Sequence, residues 1–169
     1  MKHLAVYLCL ALAGCASTKV DISGSADRPP CRPDLSTLVL WTAKWRPDQK
    51  DIPERETAAW HGIQKFFIGS SCFGTAEIRS STALPSDTAA FGRVIAITVR
   101  ELGPVVRIGL PSLVEGGTEV VIEIKVFDGR TREPLADLRT HWQNGGAFVI
   151  KGVGTLEQDM TAALVATFW

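Results

Sequence analysis

Glu119-Val-Val-Ile-Glu-Ile-Lys-Val-Phe127 is the stretch that decides the fold. Val120, Ile122, Ile124 and Val126 share one parity, and Glu119, Glu123 and Lys125 share the other. A period of two is what a strand with one buried and one wet face requires. Leu135 to Gln143 repeats the pattern, with Ala136, Leu138, Thr140 and Trp142 opposite Asp137, Arg139 and His141. Between them, Asp128-Gly-Arg-Thr-Arg-Glu-Pro134 is rich in turn formers and reads as a hairpin connection. The two strands are therefore expected to be antiparallel neighbours with one face in water.

Working outward, Arg93 to Leu102 is rich in β-branched residues, with Ile95, Ile97 and Val99 on one side. Gly103-Pro104 is expected to break this strand, and Val105 to Leu113 to resume it despite Pro111, at an edge or bulge. Further upstream, Leu35 to Trp45 carries apolar residues on both parities, which suits a strand covered on both faces near the centre of a sheet. After the polar turn Arg46 to Lys50, Asp51 and Glu54 form a capping-box-like start with Pro53 in the first turn. The helix that follows runs to Ile68 and ends at Gly69. Ala59, Trp60, Ile63, Phe66 and Phe67 lie on one face, with Glu54, Ala58, His61 and Lys65 on another.

Cys72 to Ser80 fits a short strand with Ala76 and Ile78 inward, and Ser81 to Ala90 reads as a loop. Near the C-terminus, Gly145-Gly146 and Gly152-Val-Gly154 flank the short apolar piece Ala147 to Ile150. Thr155 with Gln158 then gives a second capping-box-like start, and Leu156, Met160, Ala163, Leu164 and Thr167 share a helical face. The order implies an α+β two-layer domain: a mixed, mostly antiparallel sheet with two helices packed on one face.

Composition agrees with one such domain. The chain has 169 residues, 46% of them hydrophobic and 21% charged, with Lys+Arg 18 against Asp+Glu 18. That excludes a disordered or collagen-like chain. It also leaves no basic stripe to displace counterions, so nucleic acid is not an expected partner.

Residues 1–14, MKHLAVYLCLALAG, put one Lys and one His ahead of an uncharged run from Leu4 to Gly14. This is the layout of a secretory signal. The run is shorter than the ~20 apolar residues a membrane-spanning helix needs. It ends in Leu12-Ala13-Gly14-Cys15, which resembles the lipobox of bacterial lipoproteins. The resemblance implies cleavage between Gly14 and Cys15, a lipidated Cys15, and anchoring by two or more acyl chains. Ala16, where Asp would favour the inner membrane, points to the periplasmic face of the outer membrane. From Ala16 to Pro33 the polar composition reads as a tether, so the expected division is signal peptide 1–14, lipidated N-terminus and tether 15–33, and one domain 34–169.

Cys9 leaves with the signal and Cys15 is consumed by lipid, so Cys31 and Cys72 remain in an oxidising compartment. A bond between them would close a loop of about 40 residues and stabilise by roughly 4 kcal/mol. Two separate buried thiols, or a catalytic Cys, are the alternatives at this point.

No nucleophile elbow, phosphate loop, HExxH helix or CxxC pair occurs. Gly69-Ser-Ser-Cys-Phe-Gly74 frames a Ser and a Cys with glycine, but the helix precedes the Ser instead of following it. His61 and His141 have no metal-ligand spacing, and Glu119 and Glu123 belong to a wet strand face. No catalytic residue, metal or cofactor is expected. Arg130 and Arg132 at the hairpin tip are the candidates for contact with a partner.

The lipobox, the tether and the element order resemble the auxiliary lipoproteins of ABC-type lipid and solvent-export systems and the LptE-like assembly lipoproteins. The hairpin Val126-Phe-Asp-Gly-Arg-Thr-Arg-Glu-Pro-Leu135 is similar to theirs. The resemblance implies a non-enzymatic component of a cell-envelope complex that acts by binding an envelope protein. An envelope hydrolase and a lipid or small-molecule carrier are the alternatives.

Overall fold

A computed structural model describes residues 16–26, 31–109, 113–147 and 149–169. It contains strands β1 (Ser17–Ala26), β2 (Arg32–Ala43), β3 (Phe73–Ser80), β4 (Arg93–Gly109), β5 (Leu113–Asp128) and β6 (Pro134–Ala147). The helices are α1 (Ile52–Gly69) and α2 (Leu156–Phe168). One six-stranded sheet has the order β1-β6-β5-β4-β2-β3. β1, β6, β5 and β4 pair antiparallel, whereas β2 pairs parallel with both β4 and β3. The architecture is the two-layer α+β domain that the hydrophobic pattern implies.

The two helices and one sheet face make a single core. α1 contributes Ala59, Ile63, Phe66 and Phe67, and α2 contributes Leu156, Met160, Ala163 and Leu164. These meet Val39, Ile95, Ile97, Val99, Ile122, Ile124, Leu138 and Trp142 of the sheet. The helices approach closely at Gly62, where a Cβ would lie 2.7 Å from Met160 Cβ and 2.9 Å from the Glu157 carbonyl oxygen. Phe66, Phe67, Phe73 and Phe168 form an aromatic cluster with centroids 4.8–6.1 Å apart. Beside it Cys31 and Cys72 are disulfide-bonded, with Cα atoms 4.9 Å apart, joining the start of β2 to the start of β3.

β2 is buried on both parities for a reason visible in the packing. Val39 faces the helices, while Leu38 and Leu40 join Val94, Phe91 and Phe127 in a second, smaller cluster on the other face. Apart from Phe127 at the end of β5, β5 and β6 have no such cluster opposite the helices among the described residues. Val120, Ile122, Ile124, Val126, Ala136, Leu138, Thr140 and Trp142 are buried, and the residues between them are half-buried or exposed.

The structure departs from the sequence reading at several points. Ser17–Ala26 lies inside the stretch read as a tether, yet it pairs with β6 along its whole length, from Ser17 opposite Gly145 to Ala26 opposite Ala136. An edge strand is held by main-chain hydrogen bonds to one neighbour and needs little apolar burial, so polar composition did not exclude it. Its two large apolar residues, Val20 and Ile22, lie opposite Trp142 and Thr140.

β4 does not break at Gly103-Pro104 but continues to Gly109, with Pro104 opposite Thr118. β2 stops pairing with β4 at Val99, so Pro104 lies where β4 keeps β5 alone as a paired neighbour, the kind of edge position at which Pro is tolerated. β6 likewise runs through Gly145-Gly146 to Ala147. Neither capping box forms. Asp51 sits in the left-handed region at φ 56° and caps nothing, and Thr155 turns its hydroxyl to Gly152 and Asp159. Ala58, assigned to the polar face of the helix, is buried.

Candidate functional site

The uncovered face of β4, β5 and β6 carries the charge. Alternation along β5 presents Glu119, Val121 and Glu123 there, and alternation along β6 presents Arg139, His141 and Gln143 opposite them. β4 shifts register between Val99 and Glu101, a bulge that places Arg100 and Glu101 beside the same row. Lys44, Trp45 and Arg46, which follow β2, close one side. The result is an open cavity of about 520 Å³ lined by Arg46, Arg100, Glu101, Glu119, Glu123 and Arg139, among others. A second groove of about 140 Å³ shares Glu119 and continues past Gln143 to Lys19 and Ser17 of β1. Its floor is Gly117 paired with Gly145, where a Cβ on either residue would collide with the facing strand's backbone.

Glu101 is the most buried charge of this face, with 11% of its side chain exposed. Arg46 Nε forms an ion pair with it at 3.0 Å, Arg55 Nη1 donates to it at 3.4 Å, and Gln49 Nε2 donates to Oε1. Arg55 is itself pinned, through Nη1 to the Leu102 carbonyl at 2.7 Å and Nε to the Lys50 carbonyl at 2.6 Å. Burial pushes the Glu101 carboxyl above its ordinary pKa, opposed by Arg46 and Arg55 and reinforced by nearby Glu119. Burial outweighs the two guanidiniums because neither makes a close bidentate pair.

Two further groups lie along the row. Glu119 binds His141 Nε2 and accepts from Gln143 Nε2 at 3.1 Å. Glu123 accepts from Arg100 Nε at 2.9 Å and lies 3.8 Å from Arg139 Nη1. Each carboxylate of the row is thus engaged by at least one donor. Such an array can present alternating charge to a complementary surface.

The sequence candidates fall elsewhere. Arg132 is exposed and braces a neighbouring turn: at φ 61° it sends Nε to the Thr88 hydroxyl at 3.1 Å and Nη2 to the carbonyls of Pro85 and Ser86. It pins the short 3-10 turn Ser86–Ala90, part of the stretch expected to be a plain loop. Arg130 is exposed at the tip, where Asp128 Oδ1 accepts from the backbone amides of Arg130 and Thr131 at 2.9 Å each. His61 is exposed on α1, 3.8 Å from Glu157. Gly14 and Cys15 lie outside the described residues.

Sequence reasoning placed Glu119 and Glu123 on a wet face but missed Glu101, Arg46, Gln49 and Arg55. A Glu beside Leu102 and an Arg in the first turns of a helix carry no mark of being neighbours. Among the described residues, no group of three or more His, Cys, Asp or Glu is arranged to hold a metal, and no helix is long and apolar enough to cross a membrane.

The fold and the charged sheet face define a two-layer α+β domain with a polar open face. No family model matches the chain, and no curated protein matches it. Among solved structures, it is similar to PelC in a dodecamer from Paraburkholderia phytofirmans, at 9% identity over 90% of this chain and 98% of that one, TM-score 0.43. It is also similar to a Xanthomonas campestris protein of the DUF330 family model, at 14% identity over 85% and 88%, TM-score 0.48. A Neisseria meningitidis lipoprotein shares 12% identity over 78% and 96%, TM-score 0.39. At these levels no role is carried from those proteins to this chain.

Proposed function

We propose that this chain is a lipid-anchored lipoprotein on the periplasmic face of the bacterial outer membrane. In this reading it is a non-catalytic binding component of an envelope complex, and the charged face of β4, β5 and β6 receives an envelope protein partner. The observation that carries the anchor is Leu12-Ala13-Gly14-Cys15 at the end of a short apolar leader. The Cys31–Cys72 bond supports it, since such bonds persist in oxidising compartments. Residues 1–14 leave as the signal, Cys15 carries the lipid, and Ser17 already belongs to the folded unit.

Intact mass measurement of protein extracted from membranes tests the anchor. Loss of residues 1–14 with acyl chains on Cys15 is the expected result, and an uncleaved or unacylated chain would refute it. For the partner face, capture from detergent extracts by the native chain should be lost with Arg139→Glu and Arg100→Glu together. Unchanged capture would remove the face from the proposal.

One observation favours an envelope hydrolase as a second reading: Glu101 has a raised pKa in a cleft that shares Glu119 with His141. Turnover of cell-wall or lipid substrates that Glu101→Gln abolishes would establish it. A carrier is supported less, because the space between helices and sheet is filled by Ile63, Ile95, Ile97, Ile122 and Met160, each no more than 1% exposed.

A further inference from the structure

Register places the start of the described chain at one end of the sheet. Ser17 of β1 lies opposite Gly145 of β6, Gly145 opposite Gly117 of β5, and Gly117 opposite Val105 of β4, in one row across four strands. β1 is antiparallel to β6 and β6 to β5, so β1 runs in the same direction as β5. Cys15 is two residues before Ser17, so it can reach no farther than about 7 Å from it. With Ser17–Ala26 built into the sheet, there is no tether length between the anchor and this end of the domain.

The same end carries unburied apolar residues. Beyond the row, β4 and β5 continue as a two-stranded ribbon through Arg107 opposite Glu115, Ile108 opposite Val114 and Gly109 opposite Leu113. Val106, beside the row, is 68% exposed. Ile150 is 94% exposed, and its neighbour Val149 bonds Gly146 through its amide at 3.3 Å. The Val149 carbonyl packs on Gly116, where a Cβ would come within 1.9 Å. Val106, opposite Gly116, and Ile150, next to the Val149 that packs on Gly116, are therefore carried at the same end of the sheet.

We infer that this end of the domain, marked by Val106, Ile150 and the β4–β5 ribbon, docks against the lipid bilayer that holds the anchor. The inference rests on the lipid-anchor reading. The short reach from Ser17 is what selects a bilayer as occupant over another protein. A domain on a long leash could sit at any height, but two residues bring these side chains to the headgroup and acyl boundary, where apolar area is favourably buried. The contact also orients the molecule: the hairpin at 128–133, at the far end of β5 and β6, points away from the membrane, and the charged face stands roughly upright beside it.

The test uses the full-length protein, purified from membranes and reconstituted in nanodiscs of phosphatidylethanolamine and phosphatidylglycerol. Spin labels are placed at Val106→Cys, Ile150→Cys and, as the distal control, Arg130→Cys. All three sites are exposed, and circular dichroism confirms that labelling leaves the fold in place. Collision rates with oxygen and with a water-soluble nickel chelate are read on the same samples whose intact mass reports the acyl chains. Labels at 106 and 150 should be oxygen-accessible and protected from nickel at least several-fold relative to 130. Acylated protein whose labels at 106 and 150 meet nickel as readily as 130 overturns the docking and leaves the anchor standing. Labels shielded from both reagents indicate a protein neighbour and also overturn it. An unacylated chain removes both readings.

Discussion

The two faces of β5 differ more than any other neighbouring regions of this molecule. On one, Val120, Ile122, Ile124 and Val126 are no more than 1% exposed beneath α1 and α2. On the other, Glu119 and Glu123 stand among Arg100, Arg139 and His141 in contact with water. Burial on the helix side scales with apolar area, so stability resides there. The exposed ion pairs opposite contribute little, because solvent screens them. The lesson is a division of labour within single strands: one parity holds the fold, and the other carries the charge that the proposed partner would meet.

The largest test of that division lies at the edge of the helix-covered side. Reducing the loop constraint with Cys31→Ser and Cys72→Ser together should cost about 4 kcal/mol, measured by urea unfolding. Next, Ile122→Ala should cost about 3 kcal/mol, whereas Glu123→Ala on the same strand should cost under about 0.5 kcal/mol. Similar losses for the two would break the comparison. Gly62→Ala forces a methyl into Met160 and the Glu157 carbonyl, and should destabilise by about 2 kcal/mol.

Glu101 sharpens the comparison from the polar side. Its carboxyl binds its proton more tightly in the folded protein than in the unfolded chain. Its contribution thus favours the fold at pH below the ordinary carboxyl value, and is lost as pH rises through the raised folded value. Glu101→Gln does not titrate, so its stability relative to the native protein should increase between about pH 4 and pH 7, followed by thermal melts across that range. A difference that is flat with pH would show the carboxyl to be unperturbed. The smallest stability effect belongs to Arg139→Glu, expected to stay within about 0.5 kcal/mol while impairing partner capture.

The fold was legible where its signal is local. Alternation along residues 119–127 and 135–143 placed every buried side chain of those segments, because a period of two follows from the pleat itself. Both-parity burial of Leu38, Val39 and Leu40 was legible in the same way, although which groups cover the second face was not. β1 was missed because its reason to be a strand is the exposed edge of β6, about 120 residues away along the chain. The contacts of Arg132 were not legible, because nothing nearby in sequence announces Thr88, Pro85 and Ser86 as its acceptors.

By itself, then, the sequence determined the layer architecture, the short apolar run that ends in Leu12-Ala13-Gly14-Cys15, and two cysteines able to pair; all three are written in spacing and order along the chain. Tertiary structure alone decided that Cys31 and Cys72 meet, that Glu101 is buried between Arg46 and Arg55, and that Ser17 begins a strand instead of a tether. Each of these depends on contacts between residues far apart in the chain, and such contacts exist only once the sheet has closed around its order of strands.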